Sequence, residues 1–154
     1  MAMQMSGEVM LPASREAVWA ALNDPEVLKR CIPGAQELEK LSDTEFQATV
    51  KAAVGPVKAT FKGRVTLSEI DAPNGYTISG EGQGGVAGFA KGGAKVRLAE
   101  AEGGTRMTYD VEANVGGKLA QLGGRLINGV AKKYADEFFD TFAKTLALQE
   151  APAN

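Results

Sequence analysis

The chain has 154 residues, 44% of them hydrophobic and 23% charged, which is an ordinary globular composition. Its formal net charge is −2, so it lacks the basic excess of a nucleic-acid-binding protein. It contains no histidine and a single cysteine, Cys31, which excludes an internal disulfide or a cysteine-cluster metal site and removes the commonest general base.

The longest unbroken apolar run covers six residues, 17–22, whereas a membrane-spanning helix needs about 20. The first residues lack the charged and apolar regions of a signal peptide. A lone reduced thiol is typical of a cytosolic protein. We therefore expect one cytoplasmic domain over residues 1–154, with an ordered core at about 3–148 and no cofactor.

The first quarter of the chain predicts a strand followed by two short helices. Apolar and polar residues alternate over residues 3–11, as in a half-buried strand. Ser14 is a natural N-cap for a helix that ends near Asn23. Pro25 suits the first turn of a second helix, and Gly34 turns the chain out of it.

The middle of the chain alternates with a period of two, and each run has one apolar and one polar face. The runs cover residues 46–54, 57–67, 76–80, 94–98 and 107–115. The first two are joined by Gly55-Pro56 and predict a long hairpin. Such runs indicate a curved antiparallel sheet of about seven strands, with one face in water and the other covered.

The cover must be a long helix over residues 116 to about 148. Its apolar stripe drifts by roughly a quarter turn between its two halves, which predicts a bend. The first half is rich in glycine and the second in aromatic residues. Two interpretations remain open: the glycines let the helix pass close over the sheet, or they form a loosely held cavity wall that the aromatic half anchors.

Three local features resemble reaction sites, and each has a simpler explanation. Residues 80–85 match G-x-G-x-x-G, but no helix is predicted to open there, as a dinucleotide site requires. Asp110 and Glu112 share the polar face of a strand, where cross-strand pairing with Lys95 or Arg97 explains them. Cys31 has no histidine to activate it and is expected to be a small buried residue.

Tyr109 and Tyr134 lie on inward-facing apolar stripes. They are either ordinary core tyrosines or a pair of phenols presented to the polar end of a lipophilic ligand. Phe89, placed in a glycine-rich loop, and the apolar hairpin tip at 54–57 either contact a partner or a membrane surface, or fold over a cavity mouth.

Several motifs spread over residues 5–146 resemble those of one family. They are LNDPEVL at 22–28, CIPGA at 31–35, GPVK at 55–58 with FKG at 61–63, GFAKG at 88–92, GTRMTYDV at 104–111 and VGGKLAQLG at 115–123. As a set they resemble the CoxG family of carbon monoxide dehydrogenase subunits, within the START/Bet v1-like (SRPBCC) helix-grip superfamily.

The resemblance implies an α+β helix-grip fold, in which the sheet and the long helix enclose an apolar cavity. It also implies an accessory role beside molybdenum-containing carbon monoxide dehydrogenases and related hydroxylases, linking them to the cytoplasmic membrane or its quinones. Many members carry an extra C-terminal tail. This chain stops at Asn154, soon after the predicted helix, so attachment through such a tail is not expected.

We therefore expect a non-enzymatic accessory protein that binds a lipophilic molecule, a quinone or a lipid-like compound, and serves a molybdenum hydroxylase of the carbon monoxide dehydrogenase type. Peripheral contact with the inner face of the cytoplasmic membrane is a further expectation, and the oligomeric state is left open. The residues expected to line the cavity are Trp19, Phe46, Val50, Phe61, Val65, Phe89, Met107, Tyr109, Leu122, Leu126, Ile127, Val130 and Tyr134.

Two alternatives belong to other classes of protein. The first is an assembly or docking factor for the hydroxylase, in which the surface loops around Phe89 and Gly55-Pro56 matter more than the cavity residues. The second is an enzyme of the cyclase or hydrolase type found elsewhere in the superfamily. It ranks last because no charged residue is predicted on an inward strand face.

Overall fold

Seven antiparallel strands form one curved sheet in the computed structural model, which describes residues 1–150 and, of 149 and 150, the backbone alone. The elements are β1 (Ala2–Leu11), α1 (Arg15–Leu22), α2 (Pro25–Cys31), β2 (Ala35–Lys40), β3 (Glu45–Val54), β4 (Val57–Asp71), β5 (Gly75–Gln83), β6 (Phe89–Ala101), β7 (Gly104–Gly116), α3 (Lys118–Gln121) and α4 (Gly124–Glu150). The spatial order of the strands is β1-β7-β6-β5-β4-β3-β2. The predicted fold class is confirmed. Residues 151–154, on which the expectation about a C-terminal tail depends, lie outside the described part of the chain.

The two short helices begin where their capping residues predict. The Ser14 side chain accepts a hydrogen bond from the backbone N–H of Ala17 at 3.2 Å, and Asp24 accepts one from Glu26 at 3.0 Å. Each cap satisfies a backbone donor that the first turn of a helix leaves without a partner. The helices connect β1 to β2, the two edge strands, and so close the open side of the sheet.

The strands are longer than their alternation predicted, because much of the glycine-rich stretch 80–93 belongs to β5 and β6. A side chain at Gly92 would collide with the carbonyl oxygen of Glu112 on the neighbouring strand. Glycine therefore permits the close backbone approach of a strongly curved sheet. The G-x-G-x-x-G match continues from β5 into a single 3₁₀ turn at Gly85–Ala87, and no α-helix opens there.

Strand β2 was not delimited by the sequence pattern. It is an edge strand whose pairing with β3 shifts register between Ala35 and Glu37. Within it, Ala35 and Leu38 are half-buried and the other four residues are exposed. This irregularity disrupts the period of two, so the sequence pattern did not show where the strand begins and ends.

The long C-terminal helix does not begin at residue 116, and that prediction is wrong. Strand β7 extends to Gly116, and the short helix α3 ends before a break at Leu122-Gly123. Gly117 and Gly123 have φ angles of +73° and +87°, a left-handed conformation that interrupts a helix. The predicted helix is therefore broken near its start, and the continuous helix α4 begins at Gly124. The bend expected between the two halves of the apolar stripe stays a prediction.

The interior is divided into two hydrophobic clusters. The larger cluster lies under α1, α2 and the second half of α4, where Phe142 and Leu146 are fully buried. The smaller one contains Val115, Leu119 and Ile127, between the end of β7, α3 and the first half of α4. This division decides where empty space is left inside the fold.

Candidate functional site

An apolar cavity of about 350 Å³ lies between the concave face of the sheet and the helices. Its volume is at the lower end of the range of small-molecule sites. The helical layer contributes Leu22, Leu28, Ile32, Ala135, Phe138 and Phe139. Side chains from all seven strands complete the lining. Among the described residues that line it, none is charged, and Tyr76 and Tyr109 carry the polar side-chain groups.

Four of the residues predicted to line a cavity border this one. Phe46, Val65, Met107 and Tyr109 lie on β3, β4 and β7, at alternate positions that point to the concave face. Tyr109 stacks on Phe139 of α4 with ring centroids 5.2 Å apart. The sheet therefore brings these four side chains together under the middle of α4, although their contact with a ligand stays a prediction.

The other predicted residues lie elsewhere. Phe61, Leu122 and Ile127 belong to the smaller hydrophobic cluster, which fills the end of the concave face near the β3–β4 hairpin. Trp19 lies against Tyr76, with ring centroids 5.1 Å apart, and does not line the cavity itself. Val50 and Val130 are half-buried outside the cavity lining, while Phe89 and Leu126 are exposed.

Phe89 was predicted to lie in a loop, but it is the first residue of β6. It pairs with Gly116 of β7, and its ring covers that glycine so closely that a side chain there would collide with it. The strand begins directly after a left-handed glycine, Gly88, whose φ is +116°. Phe89 is still 40% exposed, so its ring faces solvent at the rim of the sheet.

Tyr134 is paired within the fold and lies outside the cavity lining. Its hydroxyl donates to the carbonyl oxygen of Ala53 at 3.3 Å and accepts from the N–H of the same residue at 3.1 Å. These bonds connect α4 to β3. Of the two tyrosines singled out in the sequence, Tyr109 is the one that borders the cavity.

Tyr76 is a cavity residue that the sequence analysis did not single out. It is 5% exposed and lines the cavity. Its hydroxyl takes part in none of the hydrogen bonds between described residues, and this oxygen is not completely enclosed by the protein. Burial raises the pKa of this phenol well above its usual value, so it stays a neutral donor. Tyr76 pairs with Val96, and Val96 pairs with Tyr109, so both phenols stand in one row across three strands. The alternation at 76–80 already indicated this position. Tyr76 is two residues from Ile78, so both side chains point to the same inward face of the strand.

Asp110 and Glu112 lie exposed on the convex face, as the solvated-face interpretation required. Their hydrogen-bond partners are not Lys95 or Arg97 of β6, which were the expected partners. Ser6 donates to Asp110 at 2.6 Å and Gln4 donates to Glu112 at 3.4 Å, both from β1. These β1 residues stand directly opposite the acids in the strand register, which places short polar side chains within hydrogen-bonding distance.

Cys31 is buried at the end of α2, and burial raises the pKa of its thiol. A raised pKa keeps the thiol protonated at neutral pH, and the reactive thiolate forms only at higher pH than for an ordinary cysteine. We expect the folded chain to react slowly with Ellman's reagent at neutral pH and the urea-unfolded chain to react rapidly and stoichiometrically. Since the chain has one cysteine, the assay reports this thiol alone. Equal rates for the folded and unfolded chains would contradict the expectation.

Residues 1–150 are the described part of the chain. No group of three or more histidine, cysteine, aspartate or glutamate side chains is placed to hold a metal ion within that range. Of the helices described, none combines the length and apolar character needed to span a bilayer.

A curved antiparallel sheet that holds a long C-terminal helix over an apolar cavity defines a helix-grip protein of the Bet v1-like type. Solved structures share this fold at low sequence identity. Ara h 8.0201 has 16% identity and a TM-score of 0.66, with 95% of this chain and 98% of that chain covered. A putative uncharacterized protein from Rhizobium leguminosarum has 14% identity and a TM-score of 0.71, with 95% of both chains covered.

Closer similarity identifies the family. A conserved protein from Geobacillus kaustophilus has 31% identity and a TM-score of 0.88, with 94% of this chain and 95% of that chain covered. The family model for the carbon monoxide dehydrogenase subunit CoxG matches residues 7–147. The chain therefore belongs to the CoxG family, which confirms the resemblance. No curated protein sequence matches the chain.

Proposed function

We propose that this chain is a non-enzymatic accessory protein that carries a neutral lipophilic molecule in its cavity. It would serve a molybdenum hydroxylase of the carbon monoxide dehydrogenase type by linking that enzyme to the membrane or its quinones. The observation that carries the ligand role is the uncharged apolar cavity, whose lining includes the phenols of Tyr76 and Tyr109. Membership of the CoxG family supports the partner.

The lining favours a neutral ligand over a fatty acid. A buried carboxylate costs several kcal/mol unless a cation or several donors pair with it, and the described lining supplies no cation. The two phenols can each donate one hydrogen bond, which suits a carbonyl oxygen. A quinone combines carbonyl acceptors with a planar apolar ring and is therefore the leading candidate.

The same lining favours a carrier role rather than acid–base catalysis. General acid–base catalysis needs a group whose pKa lies near the working pH. The pKa of Tyr76 is displaced away from neutrality, and carboxylate, amine and imidazole groups are missing from the described lining. These features support the proposal that the chain is not an enzyme.

Native mass spectrometry of the purified chain, followed by solvent extraction, tests the proposal directly. We expect a neutral lipophilic compound bound at about one molecule per chain, released by organic solvent. A chain that is empty as purified, and that also fails to bind menadione as a quinone probe, would rule out the ligand role.

Tyr76→Phe is expected to weaken menadione binding by about two- to twelve-fold, because one hydrogen bond contributes roughly 0.5–1.5 kcal/mol. Trp19 is the only tryptophan and its ring contacts Tyr76, so quenching of its fluorescence reports binding. Tyr134→Phe is the matched control, since that hydroxyl lies outside the cavity.

The stability of the same variant separates a ligand contact from a structural role. The Tyr76 hydroxyl has no described partner, so its removal is expected to leave the free energy of unfolding unchanged or slightly raised. A loss of stability comparable to a broken buried hydrogen bond, with menadione affinity unchanged, would show that the phenol is structural.

A docking factor for the hydroxylase is the second candidate function, and the exposure of Phe89 favours it. In that case Phe89→Asp abolishes co-purification of the co-expressed hydroxylase, while Tyr109→Phe leaves it intact. If the ligand role is the relevant one, the cavity variants impair electron transfer to quinone while co-purification persists.

A further inference from the structure

One end of the molecule differs in charge from the rest of the chain. This hairpin end consists of residues 51–63 around the β3–β4 turn, residues 84–91 between β5 and β6, and residues 115–131, which include α3 and the first two turns of α4. The strand registers bring these segments together, because Val54 pairs with Val57 and Phe89 pairs with Gly116. Gly55 also lies directly under the side chain of Leu126.

The hairpin end carries six basic residues and no acidic residue. The basic residues are Lys51, Lys58, Lys62, Lys91, Lys118 and Arg125, and all are exposed. None of them takes part in the salt bridges of the described residues. All 19 acidic residues lie elsewhere, and the one opposite a basic residue of this end in the register is Glu81, across from Lys91. A chain of net charge −2 therefore has a strongly positive end.

The same end exposes large apolar side chains. Val86 stands on the 3₁₀ turn between β5 and β6 and is 85% exposed, while Phe89 and Leu126 are 40% and 37% exposed. Apolar side chains surrounded by basic ones are typical of proteins that rest on an anionic lipid surface. A nucleic-acid backbone would pair with the cations and leave Val86 and Leu126 exposed.

We propose that the hairpin end binds reversibly to the surface of an anionic bilayer. Val86, Phe89 and Leu126 enter the interfacial region, and the six basic residues contact the lipid phosphates. This inference rests on the proposed function, in which the protein links its enzyme to the membrane. It assigns the membrane contact to the hairpin end of the domain. It does not depend on the cavity being occupied.

The charge contribution predicts a large effect of charge reversal. Each lysine or arginine near an anionic membrane surface contributes roughly a five-fold factor in partitioning. Lys118→Glu combined with Arg125→Glu should therefore lower vesicle binding by at least about 25-fold. Both residues are exposed and take part in none of the described salt bridges, so the fold is preserved.

Co-sedimentation of the full chain with vesicles tests the proposal. We expect binding to phosphatidylglycerol–phosphatidylcholine vesicles, little binding to pure phosphatidylcholine vesicles, and a loss of binding as salt screens the charges. The matched control is Arg97→Glu with Arg106→Glu, two exposed arginines on the convex face that are free of described salt bridges. This control should retain most of the binding.

Val86→Ser examines the apolar part of the surface, with Met10→Ser as the control because Met10 is also exposed but lies on β1. The first should weaken binding several-fold and the second should not. Absent vesicle binding, equal binding to neutral vesicles, or equal losses in test and control variants would overturn the proposal. Menadione titration of the same variants keeps the two proposals apart, because a failure of lipid binding leaves the cavity result unaffected.

Discussion

Ala94→Leu abolishes most of the menadione binding if the cavity is the ligand site. Ala94 lies on β6 in the floor of the cavity, and the extra side-chain atoms occupy the space of a ligand. Overpacking a filled site costs about 1–3 kcal/mol, so we expect a loss in affinity of roughly five-fold to 160-fold. The loss is measured by quenching of the Trp19 fluorescence during titration.

The control for this substitution comes from the same strand. Ala99→Leu makes the same chemical change at an exposed position of β6, five residues along and on the opposite face. It should leave menadione affinity unchanged. In the ligand-free chain Ala94→Leu fills empty apolar space, so its free energy of unfolding should not fall appreciably. If a folded Ala94→Leu variant binds menadione with unchanged affinity, the ligand does not bind in this cavity.

Phe142→Ala should give the largest loss of stability among single substitutions considered for this chain. Phe142 is 0% exposed in the larger hydrophobic cluster, and its ring stacks on Phe138 with centroids 5.4 Å apart. Truncation of such a residue costs about 3–5 kcal/mol, a large part of the total stability of a domain. Equilibrium urea unfolding followed by far-UV circular dichroism measures the change.

Phe89→Ala supplies the comparison for Phe142→Ala, because the same atoms are removed from a side chain that is 40% exposed. Its cost should be well below that of Phe142→Ala. Similar losses for both variants would mean that the second half of α4 does not anchor the helix to the sheet. The glycine-rich first half would then be as important for holding α4 as the aromatic half.

The starts of α1 and α2 and the β3–β4 hairpin were predictable because their signals are local. Ser14 and Asp24 are caps that act on residues two or three positions away, and Gly55 allows the tight turn that Val54 and Val57 close. The start of the long helix was not predictable in this way. Glycine is compatible with a helix as well as with the left-handed conformation that Gly117 and Gly123 adopt.

Part of the candidate site also followed from local pattern. The period of two placed Phe46, Val65, Met107 and Tyr109 on the inward face, because successive side chains of a strand point to opposite sides. The same rule placed Phe61 inward, yet Phe61 packs in the smaller cluster and lies outside the cavity lining. Periodicity identifies a face, but it does not show which part of that face is left uncovered.

By itself, the sequence determined the fold class, the family and the inward face of each strand, since these depend on short-range periodicity, capping and motif spacing. Only the tertiary structure decided that α4 begins at Gly124 and that the smaller cluster fills the hairpin end. The cavity under the middle of the helix, with Tyr76 and Tyr109 on either side of Val96 in one cross-strand row, likewise depends on the structure. The reason is that empty space and unpaired hydroxyls result from how distant segments pack, and no single segment encodes them.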